Sequence, residues 1–375
     1  MKGKQGLVCM GLLLVLSSCH TGKQITASGL QRKDFQTEVN GQHTDLFTLS
    51  NKQGMEVCIT NYGARVVSIL VPDRNGKRED VVCGFSTITE YMEQRQNFGS
   101  TVGRYIGRIL NARFTLDGVE YKLVPNNGKS GHISHGGNPG FADRIWKVEQ
   151  ADTHRVRLSY LSPDGENGFP GNLKVTLVYS LGEDDNALDL TYEATTDAPT
   201  VLNLSHHSFF NISGNFTKSV EDQQLWVDAD RFTPYDDKKC VTGEYLPVAG
   251  TPLDFRMPHA IGECIDADHP QLKVVNGYDH TWELNTKGDD TRPAAWVYDP
   301  ASGRKMEIFT TEPGMQIYTG NGLKGKMTGK GGIAYPFRSA VCFETMHFQD
   351  SPNQPGFPST VLRPGEVFRS HTVYK

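Results

Sequence analysis

Alternation of apolar and polar residues with a period of two is the feature that most constrains this chain. It runs through Ala64 to Leu70, Arg155 to Tyr160 and Leu173 to Tyr179, and it is typical of strands with one buried face. Four further segments predict strands: Leu188 to Glu193, Leu225 to Ala229, Met306 to Thr310 and Val341 to Glu344. Dipeptides that favour tight turns recur along the chain: Asn75-Gly76, Asp117-Gly118, Asn127-Gly128, Asp164-Gly165 and Asn276-Gly277. The sequence therefore predicts an all-β fold.

Helical periodicity is scarce. The best candidate is Ile88 to Gln96, which Thr87 and Glu90 would open as a capping box. The chain has no alternating strand–helix pattern, no fixed-period repeat and no glycine-rich phosphate loop, so we expect no nucleotide cofactor. The polar run Lys287-Gly288-Asp289-Asp290 is interpreted as an exposed hairpin tip. We expect one large antiparallel β-sandwich domain over residues 37–375.

The N-terminus has the pattern of an export signal. Lys2 and Lys4 precede an apolar run, Leu7 to Leu16, that is too short to span a bilayer comfortably. The run ends in Leu16-Ser17-Ser18-Cys19, which is similar to the bacterial lipobox, in which the cysteine receives a lipid. We therefore predict a lipoprotein signal peptide over residues 1–18, lipidation at Cys19 and a polar tether over residues 19–36. This predicts a lipid-anchored protein of the cell envelope that faces the periplasm, with a plain cleaved secretory signal as the alternative.

Charge and cysteine content narrow the partners. A net charge of -5 gives no reason to expect nucleic acid, whose binders carry a concentrated basic face. Five cysteines follow the leader without metal-finger spacing, and we expect most of them to be small buried residues: Cys58, Cys83, Cys240, Cys264 and Cys342. A small neutral ligand and a monomeric state are expected.

Histidine-containing segments are the first candidates for chemistry, because histidine changes charge near neutral pH. Three stand out: His132 to Gly137, Asn203 to Asn211 and Gly277 to His280. In the second segment, His206 and His207 point to opposite faces if the backbone is extended, so only one is expected to act. Glu344 ends an apolar strand, where partial desolvation raises a carboxyl pKa toward that of a working base.

Several ordered motifs resemble the aldose 1-epimerases, or galactose mutarotases, over most of residues 40–375. They are Gly103-Arg104-Tyr105-Ile106-Gly107-Arg108-Ile109, His135-Gly136-Gly137, Asn203 to Ile212, Gly277-Tyr278-Asp279-His280, Pro313 to Asn321, Phe343-Glu344-Thr345, Asn353-Gln354-Pro355 and Leu362-Arg363-Pro364-Gly365-Glu366. The resemblance implies the family's β-supersandwich and the interconversion of α and β anomers of aldohexoses such as glucose and galactose.

The same resemblance implies roles for individual residues. Glu344 would be the base and His207 the acid, and four further residues would bind sugar hydroxyls: Arg108, His135, Asp279 and Gln316. One position departs from the family pattern, because Gly107 stands where the family usually has asparagine before the second arginine. A hydrogen-bonding side chain is lost there, which affects the expected substrate preference more than catalysis.

Hemiacetal chemistry gives the same residue types a physical reason. Ring opening removes a proton from O1 and gives one to the ring oxygen, so an acid and a base must flank one ring. Guanidinium, amide and carboxylate groups match vicinal hydroxyls, and Trp282 or Phe210 are candidates to stack on the apolar sugar face. The reaction requires neither a cofactor nor a metal.

Three alternative interpretations remain open from the sequence. A zinc site would draw on residues of the right types, but His132 and His135 lack the helical spacing that would place both on one ion; a structural calcium on a surface loop also stays open. A non-catalytic sugar-binding lipoprotein would use the same cleft for capture. A glycoside hydrolase would pair Asp279 with Glu344 across a glycosidic bond.

Overall fold

The computed structural model describes residues 25–375, and strands dominate it. The two α-helices of this region are α1 (Ile88–Gln94) and α2 (Pro270–Val275). The strands, in chain order, are β1 (Glu38–Val39), β2 (Gln42–His43), β3 (Leu46–Ser50), β4 (Glu56–Thr60), β5 (Arg65–Pro72), β6 (Arg78–Asp80), β7 (Ser100–Val102), β8 (Arg108–Ile109), β9 (Arg113–Leu116), β10 (Val119–Lys122), β11 (Ile133–Ser134), β12 (Lys147–Ala151), β13 (Arg155–Ser162), β14 (Leu173–Leu181), β15 (Leu188–Thr196), β16 (Thr200–Val201), β17 (Ser205–His207), β18 (Phe209–Phe210), β19 (Gln224–Val227), β20 (Arg231–Thr233), β21 (Leu246–Pro247), β22 (His259–Ala260), β23 (Asp279–Glu283), β24 (Ala295–Tyr298), β25 (Lys305–Thr310), β26 (Gly314–Tyr318), β27 (Val341–Met346), β28 (Val361–Leu362) and β29 (Phe368–Tyr374).

Three antiparallel sheets carry the architecture. The largest has nine strands in the order β12-β13-β14-β15-β29-β25-β24-β19-β22. A six-stranded sheet has the order β18-β27-β26-β23-β20-β21, and a four-stranded sheet has the order β3-β4-β5-β6. The main apolar core draws residues from all three, including Leu177 of the nine-stranded sheet, Val57 of the four-stranded sheet and Phe343 of the six-stranded sheet. The predicted all-β sandwich is thus confirmed.

The period-two segments form strands because one face of each is buried. In β14 and β15, buried residues alternate with more exposed ones along most of each strand. β27 is buried along its whole length, on both faces. All seven predicted strand segments are strands in the structure.

The predicted helix is also present and begins where the sequence indicated. Thr87 Oγ1 accepts from the Glu90 N–H, and the Glu90 carboxylate accepts from the Thr87 N–H, which completes the capping box. The helix ends at Gln94, two residues earlier than expected, because Arg95 takes a left-handed conformation with φ of 49°.

Residues 287–290 are not the hairpin tip that the sequence predicted. The strand before them, β23, belongs to the six-stranded sheet, and the strand after them, β24, belongs to the nine-stranded sheet. The run therefore connects two sheets. A polar glycine-containing loop has the same composition in either role, so the sequence could not distinguish them.

The expected tether is wrong over residues 25–36, because this segment packs on the domain. Leu30 and Phe35 are buried beside residues of the four-stranded sheet and of α1. The backbone N–H groups of Ala27 and Ser28 donate to the Glu56 carboxylate at 3.0 and 3.1 Å. The apolar residues of this segment show no strand or helix period in the sequence, so the burial of Leu30 and Phe35 could not be predicted.

The predicted signal peptide over residues 1–18, the lipidation at Cys19 and the rest of the tether lie outside the described residues. Within residues 25–375, no helix has the length and apolar character needed to cross a membrane. The five cysteines of this region are all free thiols, and Cys58, Cys83 and Cys342 are buried as expected, whereas Cys240 and Cys264 are half-buried.

Candidate active site

One face of the six-stranded sheet forms the floor of a cleft of about 240 Å³. On β26, Met315 and Ile317 enter the main core, so the alternate residue Gln316 faces the cleft. On β27, Val341 and Phe343 enter the core in the same way, and Glu344 faces the cleft. All six residues expected from the resemblance line this cleft: Arg108, His135, His207, Asp279, Gln316 and Glu344.

Strand register brings three of these side chains together. Gln316 lies directly opposite Glu344 across the β26–β27 pair. Asp279 is the first residue of β23 and lies opposite Tyr318, which places it diagonal to Gln316. Gln316 Nε2 donates to Asp279 Oδ1 at 2.6 Å, so this amide orients the carboxylate.

His207 comes from a separate two-stranded sheet, in which β17 pairs with β7. Its Nε2 lies 3.5 Å from Glu344 Oε1 and its Nδ1 lies 3.6 Å from Cys342 Sγ. The ring stacks on Phe209, with the ring centroids 5.0 Å apart. His206 points the other way, where its Nε2 lies 2.6 Å from Ser208 Oγ. The expectation that only one of the two neighbouring histidines reaches the site is confirmed in this geometry.

Arg108 and His135 also line the cleft, with the His135 ring 5.6 Å from the His207 ring, and a tight turn positions His135. His135, Gly136 and Gly137 all have positive φ, at 51°, 80° and 101°. A Cβ on Gly136 would lie 2.0 Å from the Gly103 carbonyl oxygen, so the turn requires glycine there. The His135 N–H donates to the Gly107 carbonyl at 2.9 Å, which fixes the histidine beside Arg108.

Glu344 and His207, the predicted base and acid, have shifted protonation equilibria. Burial, reinforced by the charge of Asp279, raises the pKa of Glu344 well above its usual value. Burial, together with the neighbouring His135, lowers the pKa of His207 well below its usual value. Both shifts favour the uncharged forms of the two groups, in which the pair holds one proton, on the Glu344 carboxyl group.

Burial also shifts the pKa values of His135 and Asp279, which line the same cleft. Burial and the charge of Arg108 lower the pKa of His135 to about 4, so its ring is a neutral hydrogen-bonding group at neutral pH. Burial raises the pKa of Asp279, although Arg108 and the amide of Gln316 oppose that rise. Arg108 is thus the fixed positive charge of the site.

Sequence reasoning missed Gln349, which is buried in the same cleft. Its Oε1 accepts from the Arg108 N–H at 3.2 Å, and its Nε2 donates to Tyr235 Oη at 2.7 Å. A Cβ on Gly107 would lie 2.5 Å from Gln349 Cγ. The amide of Gln349 therefore occupies space that the missing side chain at position 107 leaves open. Its burial, which would have been the signal, is not readable from the local sequence.

The prediction that Trp282 or Phe210 stacks on a sugar was wrong, because neither side chain lines the cleft. Trp282 is fully buried and its indole N–H donates to the Leu253 carbonyl at 3.0 Å. Phe210 packs against Tyr374 in the main core. The aromatic side chains that line the cleft are Phe209 and Tyr318. Phe209 and Phe210 are consecutive strand residues, and a shift of one residue reverses the face.

His132 does not join the other histidines. Its Nδ1 accepts from the Asn111 N–H at 2.9 Å and its Nε2 lies 3.3 Å from Cys240 Sγ. Among residues 25–375, one group of ligand-type side chains lies close enough to share an ion: His207, Cys342 and Glu344, with ligand atoms within 4.8 Å of one another. Two members of that group are the acid–base pair, so an ion bound there would occupy the proton-transfer groups.

Comparisons with known proteins agree with this geometry. A family model described as aldose 1-epimerase matches residues 45–375. The galactose mutarotase of Sus scrofa is 39% identical over 328 residues, which cover 88% of this chain and 92% of that protein. The aldose 1-epimerase of Escherichia coli (strain K12) is 36% identical over 338 residues, which cover 90% and 96%.

Solved structures give the same result. An aldose epimerase homologue from C. elegans superposes with a TM-score of 0.81 at 31% identity, covering 88% of this chain and 98% of that one. Galactose 1-epimerase from Lactobacillus acidophilus superposes with a TM-score of 0.78 at 28% identity, covering 90% and 96%. On sequence and fold together, this chain belongs to the aldose 1-epimerase family.

Proposed function

We propose that this chain is an isomerase that interconverts the α and β anomers of aldohexoses, with glucose and galactose as substrates. The observation that carries the proposal is the 3.5 Å contact between His207 Nε2 and Glu344 Oε1, in a cleft whose other walls hold hydroxyl-binding groups. An acid and a base that adjoin one small cavity can reach O1 and O5 of the same sugar ring. The named activities of the relatives support the same reaction.

The proton balance of the proposed reaction is simple. The single proton of the pair first passes from Glu344 to His207 across their 3.5 Å contact. Glu344 then takes the proton from O1 while His207 gives its proton to O5, and the bond from C1 to O5 breaks to leave an open-chain aldehyde. Rotation about the bond from C1 to C2 presents the other face of the carbonyl. Reclosure returns the O5 proton to His207 and the Glu344 proton to O1, which yields the other anomer and restores both groups.

The remaining cleft residues are proposed to hold the sugar. Arg108 offers a planar donor fork, and the Asp279 carboxylate and the Gln316 amide offer adjoining acceptors and donors. His135 is neutral at neutral pH and hydrogen-bonds without adding charge. Because the reaction moves only protons and the electron pair of one carbon–oxygen bond, we propose that it needs no cofactor.

The direct test follows anomer exchange of freshly dissolved α-D-glucose and α-D-galactose by polarimetry or NMR. We expect acceleration above the buffer rate, and a loss of kcat of at least about 100-fold in Glu344→Gln and in His207→Asn, since general acid–base catalysis contributes on this order. The matched control is His206→Asn, which changes a neighbouring histidine outside the cleft. No acceleration with any aldose would contradict the proposal.

The same assay tests the alternative of a non-catalytic sugar-binding lipoprotein, which the relatives do not favour. Sugar affinity without anomer exchange would be its signature.

We also propose that Cys19 carries a lipid that anchors a monomeric chain in the cell envelope on the periplasmic side. The leader sequence supports this, and its tests are palmitate labelling of wild type against Cys19→Ala and protease treatment of intact cells.

A further inference from the structure

Arg65, the first residue of β5, is a buried cation whose partners in residues 25–375 are backbone carbonyl groups rather than carboxylates. The residue is 1% exposed. Its Nη1 donates to the Gln96 carbonyl at 2.6 Å and to the Phe98 carbonyl at 3.1 Å, and its Nη2 donates to the Ala142 carbonyl at 2.7 Å. Its Nε is buried and has no hydrogen-bond partner in this part of the chain.

The burial of this charge is not explained by stability. A guanidinium that leaves water without a carboxylate partner costs free energy that its hydrogen bonds must offset. The rings of Tyr62 and Tyr91 add cation–π attraction, with Arg65 Cζ 5.5 and 5.0 Å from their centroids. A well-packed apolar side chain in place of a buried charge is often no less stable. The arginine therefore points to a role other than stability.

The carbonyl groups that Arg65 binds belong to segments at the edge of the cleft. Gln96 and the next residue, Asn97, line the cleft. Ala142 lies in the short helical turn that follows the His135 turn along the chain. The planar donor fork of one side chain thus holds two separate segments in a fixed relation.

Two routes lead from residues 96–99 to His207. Along the backbone, the Gly99 N–H donates to the His207 carbonyl at 2.9 Å, and the Gly99 carbonyl accepts from the Val66 N–H at 2.9 Å. Through the side chains, Phe98 packs edge-on against Phe209 with centroids 4.9 Å apart, and Phe209 stacks on the His207 ring at 5.0 Å. A displacement of this segment would therefore move both the backbone and the ring of the histidine.

We propose that Arg65 is a positioning residue for His207. By holding residues 96–99 beside β5, it fixes the imidazole relative to Glu344. Arg65 itself does not line the cleft, so it acts through the segment and not on the sugar. This inference rests on the proposed anomer exchange, in which His207 gives its proton to O5.

The charge of Arg65 gives this role a second readout. The titratable and charged groups around His207 are Glu344 and Cys342 on β27, His135 in its turn, Arg65 on β5 and the neighbouring His206. Burial lowers the pKa of His207, and the charges of His135, His206 and Arg65 add to this effect. Loss of the Arg65 charge raises that pKa, so the acidic limb of the pH profile of kcat/KM moves to higher pH.

The test compares Arg65→Lys and Arg65→Met with wild type in anomer exchange of α-D-glucose across a range of pH. Lysine keeps the charge but lacks the planar fork that joins the two segments, whereas methionine removes both. We expect kcat to fall about 10-fold or more in both variants, because a small displacement of a reacting group costs on this order, with KM within about 3-fold of wild type. The acidic limb should move to higher pH in Arg65→Met and stay in place in Arg65→Lys.

The matched control is Arg304→Lys. Arg304 is 6% exposed, and its guanidinium also donates to three backbone carbonyl groups, those of Ile212, Ser213 and Lys77. None of these residues lines the cleft. Arg304→Lys should therefore lower Tm to a similar extent as Arg65→Lys and leave kcat unchanged.

Three outcomes would overturn the inference. They are an equal loss of kcat in Arg65→Lys and Arg304→Lys, an unchanged kcat in both Arg65 variants, and a raised KM with unchanged kcat. If Arg65→Lys does not fold, Arg65→Met decides alone, and a wild-type kcat with an unmoved acidic limb would overturn the inference. Absence of anomer exchange by wild type would overturn the proposed function itself, so the two failures are distinguishable.

Discussion

The lack of a side chain at Gly107 leaves room for the side chain of Gln349. Gly107 has φ of 75°, a conformation that asparagine tolerates better than most residues. The obstacle to a side chain at 107 is therefore Gln349, whose Cγ lies 2.5 Å from where a Cβ would stand. The cleft therefore still has an amide beside position 107, but this amide belongs to Gln349, which follows β27.

This predicts strong coupling between the two positions. Gly107→Asn alone should destabilise the protein by about 1–3 kcal/mol, since it overpacks a filled site. Gly107→Asn combined with Gln349→Ala should recover most of that loss, and urea unfolding of the four proteins measures the coupling. The control is Gly118→Asn, because Gly118 also has positive φ but no atom within 4 Å of its Cβ position. Additive effects at 107 and 349 would refute the steric explanation.

The charge of Asp279 predicts a pH effect. The proposed acid–base pair is active when it holds one proton. The alkaline limb of the pH profile of kcat/KM then reports loss of that proton, which the raised pKa of Glu344 holds on its carboxyl group. Asp279→Asn removes a negative charge that contributes to this rise, so the pKa of Glu344 falls and the alkaline limb moves to lower pH. Asp279→Glu, which keeps the charge, should change KM with the limb in place. An unmoved limb in Asp279→Asn would show that burial alone sets the pKa.

At the scale of elements, His371 on β29 joins three parts of the sandwich. Its Nδ1 lies 2.6 Å from Asp290 Oδ2, in the connection between β23 and β24, and its Nε2 lies 3.2 Å from Asp189 Oδ1 on β15. The two carboxylates raise the pKa of His371 to about 8 from 6.5. The imidazolium therefore stabilises the fold most fully below pH 6.5, and this contribution is lost as the pH rises through about 8.

His371→Asn should accordingly lower Tm most below pH 6.5, with the difference from wild type shrinking above pH 8. Thermal unfolding followed by circular dichroism from pH 6 to pH 9 measures this. His154→Asn, which changes an exposed histidine, is the control and should leave the difference in Tm from wild type the same at every pH. A constant gap between His371→Asn and wild type across this range would contradict the prediction.

At the scale of the whole molecule, residues 25–36 close a second apolar core. Phe35 is fully buried among Leu46, Cys58 and Phe85, which come from β3, β4 and the segment before α1. The segment thus covers a surface that the four-stranded sheet would otherwise expose to water.

Phe35→Ala should lower the free energy of unfolding by about 3–5 kcal/mol, as removal of a buried aromatic ring usually does. Urea denaturation measures it, with Lys33→Ala, an exposed neighbour, as the control. A loss well under 1 kcal/mol would mean that the segment contributes little to the fold and would restore the tether interpretation for these residues.

Local pattern accounts for what could be predicted. The alternation in β14 and β15 and the capping box of α1 are decided by neighbouring residues in the chain, so the all-β class and the helix start were readable. Glu344 stood out because it ends an apolar strand, whereas Gln316 was named by the resemblance, with its apolar strand as support. The ordered motifs added the remaining candidates, and all six face one cleft.

Contacts between distant segments account for what could not be predicted. Gln349 is 242 positions from Gly107 along the chain. It fills the space beside Gly107 because β8 and the segment after β27 meet in the fold.

 The aromatic residues of the cleft, the packing of residues 25–36 and the role of residues 287–290 as a connection between sheets depend on the same kind of contact. No local period reports them, because the residues involved are neighbours only after folding.

The sequence by itself determined the strand pattern, the helix start and the residue types that hemiacetal chemistry needs, since each of these depends on covalent neighbours or on side-chain chemistry. The tertiary structure decided which of these residues meet. It placed Glu344 3.5 Å from His207, turned Phe209 rather than Phe210 toward the cleft, and buried Arg65 against the backbone of residues 96–98. The physical reason is that burial and sheet register, which set both the pKa shifts and the face of each side chain, exist only once strands from distant parts of the chain pack together.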